Sequence, residues 1–265
     1  MHRFHALLVC LLIAGCSGLP LETEDEASPL TVAGDYTGPA WSSDGASVSF
    51  SGPGYQGLYE VAVDTGAVRE LAPPGTRTWF RHGWADGRVV RPRLGDQNAL
   101  ELTPHDGVVR VLAHNPAAGP FVELRRDDLV LVDGGVERWL THGEDRFCDP
   151  VLSPDGSHVA FIGLQSGVHV VELDTGLAVA HGGAGTHPTW TPDGATVLFE
   201  RTDDDGYHLT AGDLWAVSLA DGEPLRLTHT PAIDQHPAVS PDGTRVALIR
   251  DGAVWVLPLG EEVSP

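Results

Sequence analysis

The feature that most constrains the fold of this chain is a repeated seven-residue motif, Pro-x-(Trp/Leu/Val)-(Ser/Thr)-(Pro/Ser)-Asp-Gly. It occurs four times, at Pro39–Gly45, Pro150–Gly156, Pro188–Gly194 and Pro237–Gly243. The starts of the copies are separated by 111, 38 and 49 residues, and 111 is three times 37. Because a motif with a period of roughly 20–50 residues is typical of repeat architectures, we expect six units. Two of these units are degenerate and lie between residues 45 and 150.

The unit that begins at Pro188 reads as four short strands. The first strand ends at a Pro-Asp-Gly turn, and Asp-Gly suits such turns because Gly tolerates positive φ and Asp bonds its own backbone. Ala195–Arg201 is a β-branched, apolar second strand, Asp213–Leu219 alternates as the third strand, and Leu225–Thr228 is the fourth, all without a helical period. This pattern predicts an all-β fold.

Degenerate copies of the unit are recognisable at Thr78–Gly87 and Pro120–Asp128. Six units of about 40 residues then fill residues 30–260, which predicts a six-bladed β-propeller of four-stranded blades. The motif aspartates are explained by their role in the turns and are not expected to be catalytic: Asp44, Asp155, Asp193 and Asp242.

The ends of the chain indicate how the propeller closes. A Leu-Thr pair, typical of a fourth strand, precedes the motif at Leu140-Thr141 and Leu227-Thr228, and again at Leu30-Thr31, where no earlier blade exists. The last repeat runs out of chain after its third strand, at Ala253–Leu259. We therefore expect the N-terminal strand to complete the last blade, which also hides an exposed sheet edge.

The repeat Leu-Thr…Pro-x-Trp-Ser-Pro-Asp-Gly resembles that of the TolB-like β-propellers of bacterial envelope proteins, over essentially the whole mature chain. TolB itself carries an additional α/β domain before its propeller, and this chain has no room for one. Related propellers also serve as accessory domains of serine peptidases, but no Gly-x-Ser-x-Gly motif of a hydrolase occurs here.

The first fifteen residues read as a signal peptide, because Arg3 is followed by an apolar run of nine residues, Ala6–Ala14. The sequence Ile-Ala-Gly-Cys that ends at Cys16 resembles the lipobox of bacterial lipoproteins, which implies cleavage before Cys16 and lipidation of its sulfur. Ser17 is the kind of residue that accompanies outer-membrane sorting in such proteins. An ordinary signal peptide with a chance cysteine is the alternative. Residues 16–29 read as an acidic flexible tether and residues 261–265 as a tail.

The charge balance excludes several functions. The chain has 37 acidic and 16 basic residues, and every basic residue is Arg. A surface this acidic repels phosphates, so nucleic-acid binding is not expected, and membrane contact is expected through the lipid anchor alone. The absence of Lys removes Schiff-base chemistry.

The residues just before the first-strand prolines are the candidate site. Asp149, His187 and His236 occupy the same position in neighbouring blades, at the mouth of the expected channel, and Gln235 lies beside His236. Two imidazoles and a carboxylate can bind a divalent transition metal, and a propeller family of pectin-fragment lyases holds its metal with His and Gln. The alternative is a polar rim around a wet channel.

The sequence thus favours a monomeric binding module in the cell envelope, facing the periplasm or the cell surface. Its partner would be another envelope protein or a cell-wall component, and it would need no cofactor. The alternative from another class is a metal-dependent, lyase-like carbohydrate-active enzyme that uses the channel-mouth histidines.

Overall fold

The chain folds into short antiparallel strands. This computed structural model describes residues 27–77, 83–85, 88–92, 98–102, 109–113 and 121–260. The predicted signal peptide, Cys16, the tether up to residue 26 and the tail at 261–265 lie outside the described residues. In the described ranges, a short 3-10 turn occurs at Pro53–Tyr55, and no helix is long and apolar enough to cross a membrane.

Within the described ranges, the strands form six sheets that follow one another along the chain. Sheet one contains β2 (Thr37–Trp41), β3 (Ser47–Ser51), β4 (Gln56–Ala62) and β5 (Val68–Arg77). Sheet two contains β6 (Gly83–Ala85), β7 (Arg88–Pro92), β8 (Asn98–Leu102) and β9 (Val109–Ala113). Sheet three contains β10 (Phe121–Arg125), β11 (Asp128–Asp133) and β12 (Val136–Trp139). Sheet four contains β13 (Phe147–Leu152), β14 (His158–Gly163), β15 (Gly167–Glu172) and β16 (Ala178–Gly183).

Sheet five contains β17 (Thr186–Trp190), β18 (Thr196–Asp204), β19 (Leu209–Ser218) and β20 (Pro224–Arg226). Sheet six contains β21 (Asp234–Val239), β22 (Arg245–Arg250), β23 (Ala253–Pro258) and β1 (Ser28–Pro29) from the other end of the chain. The prediction of an all-β chain built from four-stranded sheets is confirmed for five of the six sheets.

The N-terminal strand β1 pairs antiparallel with β23, and Ser28 lies opposite Val256. The contact continues beyond the strand, because the Leu30 amide donates to the Val254 carbonyl at 2.8 Å. The Val254 amide in turn donates to Oγ1 of Thr31 at 3.0 Å. The sequence placed the start of the repeats at residue 30. The paired segment begins two residues earlier, at Ser28.

The motif turns are held by side-chain hydrogen bonds. Oγ of Ser153 donates to the Asp155 carboxylate at 2.6 Å, and this carboxylate accepts the Ser157 amide at 3.0 Å. The hydrogen bond from Ser153, followed by those from Ser157, lowers the pKa of Asp155 to about 2. Gly156 completes the turn with φ at 72°. The same two bonds are made by the other motif aspartates, Asp44, Asp193 and Asp242.

Apolar clusters join sheets three, four, five, six and one, each to the next in that order. Leu131 with Phe161 joins sheets three and four, Val170 with Phe199 joins four and five, and Leu214 with Leu248 joins five and six. Phe50 with Ile249 joins sheet one to sheet six. Two tryptophans add hydrogen bonds between first strands, from Nε1 of Trp41 to the Ala238 carbonyl and from Nε1 of Trp190 to the Val151 carbonyl. The first and last sheets therefore pack together through a shared core.

Sheet three differs from the unit that the sequence predicts. The pattern placed a first strand and its turn at Pro120–Asp128, but Phe121–Arg125 pairs with β11 through a two-residue turn at Arg126-Asp127. Both turn residues have positive φ, 55° and 80°, which is the geometry of a tight hairpin. Since Leu140-Thr141 follows β12 directly, β10 to β12 correspond to the second, third and fourth strands of the unit.

Candidate functional site

The site is built on a backbone irregularity that recurs in four first strands. Each first strand carries a bulge at the residue before its proline, where the pairing with the second strand shifts. The residue at the bulge has positive φ in every case, between 53° and 58°, at Gly38, Asp149, His187 and His236. Glycine adopts this conformation without strain, whereas other residues lose about 1–2 kcal/mol. Asp and His are among the side chains that adopt it most often.

The two histidine bulges bring imidazoles from neighbouring sheets together. His187 belongs to sheet five and His236 to sheet six, and their ring centroids lie 4.2 Å apart with the planes inclined by 56°. His236 is buried, with 9% of its surface exposed, and His187 is partly exposed. A bulge re-aims a side chain out of the strand's regular alternation, which accounts for the approach of two residues from different sheets.

A buried carboxylate lies against the two rings. Glu200 is in β18, opposite Thr186, and only 2% of its surface is exposed. Its Oε1 lies 2.9 Å from Nδ1 of His187 and accepts the Thr186 hydroxyl at 3.1 Å, while its Oε2 accepts the backbone amide of His236. Burial alone would raise the pKa of the Glu200 carboxyl. The hydrogen bond with His187, the electrostatic effect of the two neighbouring imidazoles and the His236 amide together bring the pKa of Glu200 below its ordinary value.

One ligand atom from each of His187, Glu200 and His236 can be chosen so that all three lie within 4.8 Å of one another. Among the described residues, no other group of three or more His, Cys, Asp or Glu side chains has its ligand atoms this close together. Two imidazoles and one carboxylate are a common donor set for zinc, and the set also suits other first-row transition metals.

The sequence prediction and the structure overlap at the two histidines. Asp149 has the same bulge and left-handed backbone in sheet four, but it is not part of this group. Gln235 lies one residue before the second bulge, where it pairs with Ile249 of β22, and it is also outside the group. Glu200 was not predicted. One signal in the sequence could have identified it: Glu200 directly follows the apolar run of β18. A glutamate buried in such a strand requires a polar or charged partner.

An open cavity of about 440 Å³ extends from the two histidines along the first strands of sheets one, five and six. Its wall includes Trp41, the bulge prolines Pro39, Pro188 and Pro237, and the turn prolines of sheets four, five and six. The cavity therefore runs along the first strands from the bulges to the turns. A molecule inside it would reach His187 and His236 through an apolar passage lined by prolines.

The chain matches known proteins over the propeller repeats. Residues 119–261 match a family model described as the lipoprotein LpqB beta-propeller domain. Two curated relatives are each 32% identical: an uncharacterized peptidase, YuxL, from Bacillus subtilis, over 150 residues, and a TolB homolog from Chlorobium luteolum, over 140 residues. These matches cover 42% and 48% of this chain but only 22% and 30% of the relatives.

Among solved structures, a TolB protein from Agrobacterium tumefaciens superposes with a TM-score of 0.56 at 20% identity. The superposition covers 85% of this chain and 90% of that one. At this level of identity the likeness shows the fold, and it supports a TolB-like β-propeller architecture.

Proposed function

We propose that this chain, which belongs to the family of the lipoprotein LpqB β-propeller domain, is a lipid-anchored propeller of the cell envelope that binds another envelope protein or a cell-wall component. The family description and the TolB homolog support an envelope location. The lipobox-like sequence before Cys16 supports attachment through acyl chains, which hold a protein on a membrane stably when more than one is present.

The proposed propeller has six blades arranged in a closed ring. Three features support this arrangement: the six sheets succeed one another along the chain, sheet one shares a core with sheet six, and β1 pairs with β23. A closed ring of blades holds its connecting loops in fixed positions, and binding residues are found mainly on such loops.

The observation that carries the binding role is the long hairpin of sheet five. Its strands β18 and β19 have nine and ten residues, and the tip between them presents Tyr207 with 91% of its surface exposed. The three residues Asp203–Asp205 beside it are exposed too, and backbone amides of the tip lower the pKa of Asp205. Tyrosine is enriched in protein interfaces, and the carboxylates favour a basic partner surface.

The binding proposal is tested by co-purification from detergent-solubilised envelopes. The full chain and a Tyr207→Ser variant are compared, with Val136→Ser as a matched control because Val136 is an exposed apolar residue of another hairpin. We expect a partner that is retained by the wild type and the control and lost with Tyr207→Ser. Equal retention by all three proteins would contradict this surface, and no retained partner would contradict the binding role.

Lipid attachment is tested separately with Cys16→Ser. The wild type should incorporate a labelled fatty acid and the variant should not, because no acyl chain can be added to a serine at this position. If the wild type takes up no label, or the variant takes up as much as the wild type, the lipobox interpretation is wrong.

The second candidate function is a metal-dependent, lyase-like carbohydrate-active enzyme. The grouping of His187, Glu200 and His236 at an open cavity favours it. The test incubates the purified chain with pectic oligosaccharides, with Mn²⁺ or with a chelator, and follows the ultraviolet absorbance of unsaturated products. Metal-dependent product formation that is lost in Glu200→Gln would replace the scaffold proposal by the enzymatic one.

A further inference from the structure

We propose that His187, Glu200 and His236 together bind one divalent transition-metal ion, with zinc the best match to this donor set. The site would join sheets five and six, since His187 and Glu200 belong to one sheet and His236 to the other. This inference requires neither the binding role of the hairpin nor any catalytic activity.

The separations of the ligand atoms are close to those of a metal shell. Two ligands at about 2.0–2.1 Å from a tetrahedral zinc ion lie roughly 3.3 Å apart. Nδ1 of His187 and Oε1 of Glu200 are 2.9 Å apart, and all three ligand atoms lie within 4.8 Å of one another. Side-chain movements of an ångström or so would therefore bring the three groups onto one ion.

The ligands are held in place by the backbone and by further hydrogen bonds. The bulge before each proline fixes the direction of both histidines, whose φ angles are 53° and 54°. The Glu200 carboxylate is oriented by the Thr186 hydroxyl and by the His236 amide. Outer groups that orient metal ligands in this way are a regular part of metal sites.

The charge and surroundings of the site favour a cation. The carboxylate is removed from water at 2% exposure, where it requires a positive partner, and a metal ion would supply that charge while the imidazoles bind it in their neutral form. The formal net charge of the chain is −21, which raises the local concentration of cations around it. Three protein ligands would leave a coordination position for water or for a group entering from the cavity.

A second histidine pair in sheet four provides a matched control. The rings of His169 and His181 lie 4.7 Å apart, a separation similar to that of the proposed site. Their Nε2 atoms, however, contact the hydroxyl and the carbonyl of Ser166, and the nearby Asp145 carboxylate accepts the Ser166 hydroxyl. This pair therefore lacks a carboxylate available to complete a metal shell.

The experiment measures zinc binding by isothermal titration calorimetry on the chelator-treated full chain, with metal content checked by mass spectrometry. We expect one saturable site per chain. Removing an outer-shell partner of a metal typically weakens binding ~10–100-fold, so loss of a ligand should weaken it by more than about 100-fold. That loss is expected for Glu200→Gln and for His187→Ala, whereas the double variant His169→Ala, His181→Ala should bind like the wild type.

A spectroscopic measurement on the wild type guards against variants that fail to fold. Cobalt(II) added in place of zinc should give the visible absorption bands of a four-coordinate site, and one equivalent of zinc should abolish them. Circular dichroism reports whether each variant is folded. The proposal is overturned if the wild type binds no zinc saturably and shows no such bands. It is also overturned if the folded ligand variants bind as well as the control pair variant.

Discussion

Removing the N-terminal strand should destabilise the whole chain, and the structure gives the size of the effect. The variant lacking residues 17–26 keeps every described contact of β1, whereas the variant lacking residues 17–32 loses them all. Among these contacts are the hydrogen bonds of Leu30 and Thr31 with Val254 and the packing of Ala27 and Leu30 against the clusters on both sides of sheet six.

The expected loss is about 2–5 kcal/mol. Two hydrogen bonds contribute about 0.5–1.5 kcal/mol each, and a partly buried leucine contributes about 1–2 kcal/mol. Against a total domain stability of about 5–15 kcal/mol, the longer truncation should remain folded but unfold at clearly lower denaturant concentration.

The assay is urea denaturation of both truncations, followed by tryptophan fluorescence and far-ultraviolet circular dichroism. The shorter truncation should match the untruncated chain within about 0.5 kcal/mol of unfolding free energy, because it keeps every described contact of β1 and the sequence of residues 17–26 reads as a tether. Leu30→Ala in the untruncated chain should account for a part of the loss, about 1 kcal/mol. If both truncations unfold at the same midpoint, β1 contributes nothing to stability and the closure of sheet six is refuted.

Three further substitutions test other parts of the fold by the same denaturation assay. Arg250→Met should cost about 3–5 kcal/mol, because it leaves the fully buried Asp234 carboxylate without its bidentate partner; a loss below 1 kcal/mol would contradict a buried ion pair. Asp155→Asn should lose stability at pH 7 but match the wild type near pH 2. The hydrogen bonds led by Ser153 lower the pKa of Asp155 to about 2, so its contribution is complete above the unfolded pKa near 4 and fades as the pH falls through 2. Equal pH profiles would exclude this role. Gly167→Ala should cost at least about 2 kcal/mol, because φ is 87° and an added Cβ would collide with a carbonyl oxygen of β16; a neutral result would contradict that backbone.

The intact motif copies made the strands of four sheets predictable. An Asp-Gly turn between two apolar runs indicates where the first strand ends and that the next strand pairs with it. The turns at Asp44 and Asp242 contain the side-chain hydrogen bonds expected of such a turn. In sheet three, Arg126-Asp127 forms the turn without the motif residues. The sequence pattern therefore predicts Pro120–Asp128 as the first strand and its turn, whereas this segment contains the second strand of the unit.

The site was only partly predictable because its third member depends on register. Equal spacing from the prolines was enough to relate His187 to His236. Glu200 faces them because the bulge shifts the pairing of β17 with β18 between Thr186 and Thr189. A period of two residues tells which side chains share a face, but it does not tell which residue of the second strand lies beneath a bulge.

The recurring bulge also bears on how the chemistry of this fold can change over time. Glycine, aspartate and histidine all occupy the bulge, at Gly38, Asp149 and the two histidines, with nearly the same φ. What the fold selects there is a backbone conformation, while the side chain is left to vary. A single substitution at this position therefore changes the chemical group that the cavity along the first strands presents to a ligand. The strands keep their register. Such positions allow a repeat protein to acquire and lose binding sites without refolding.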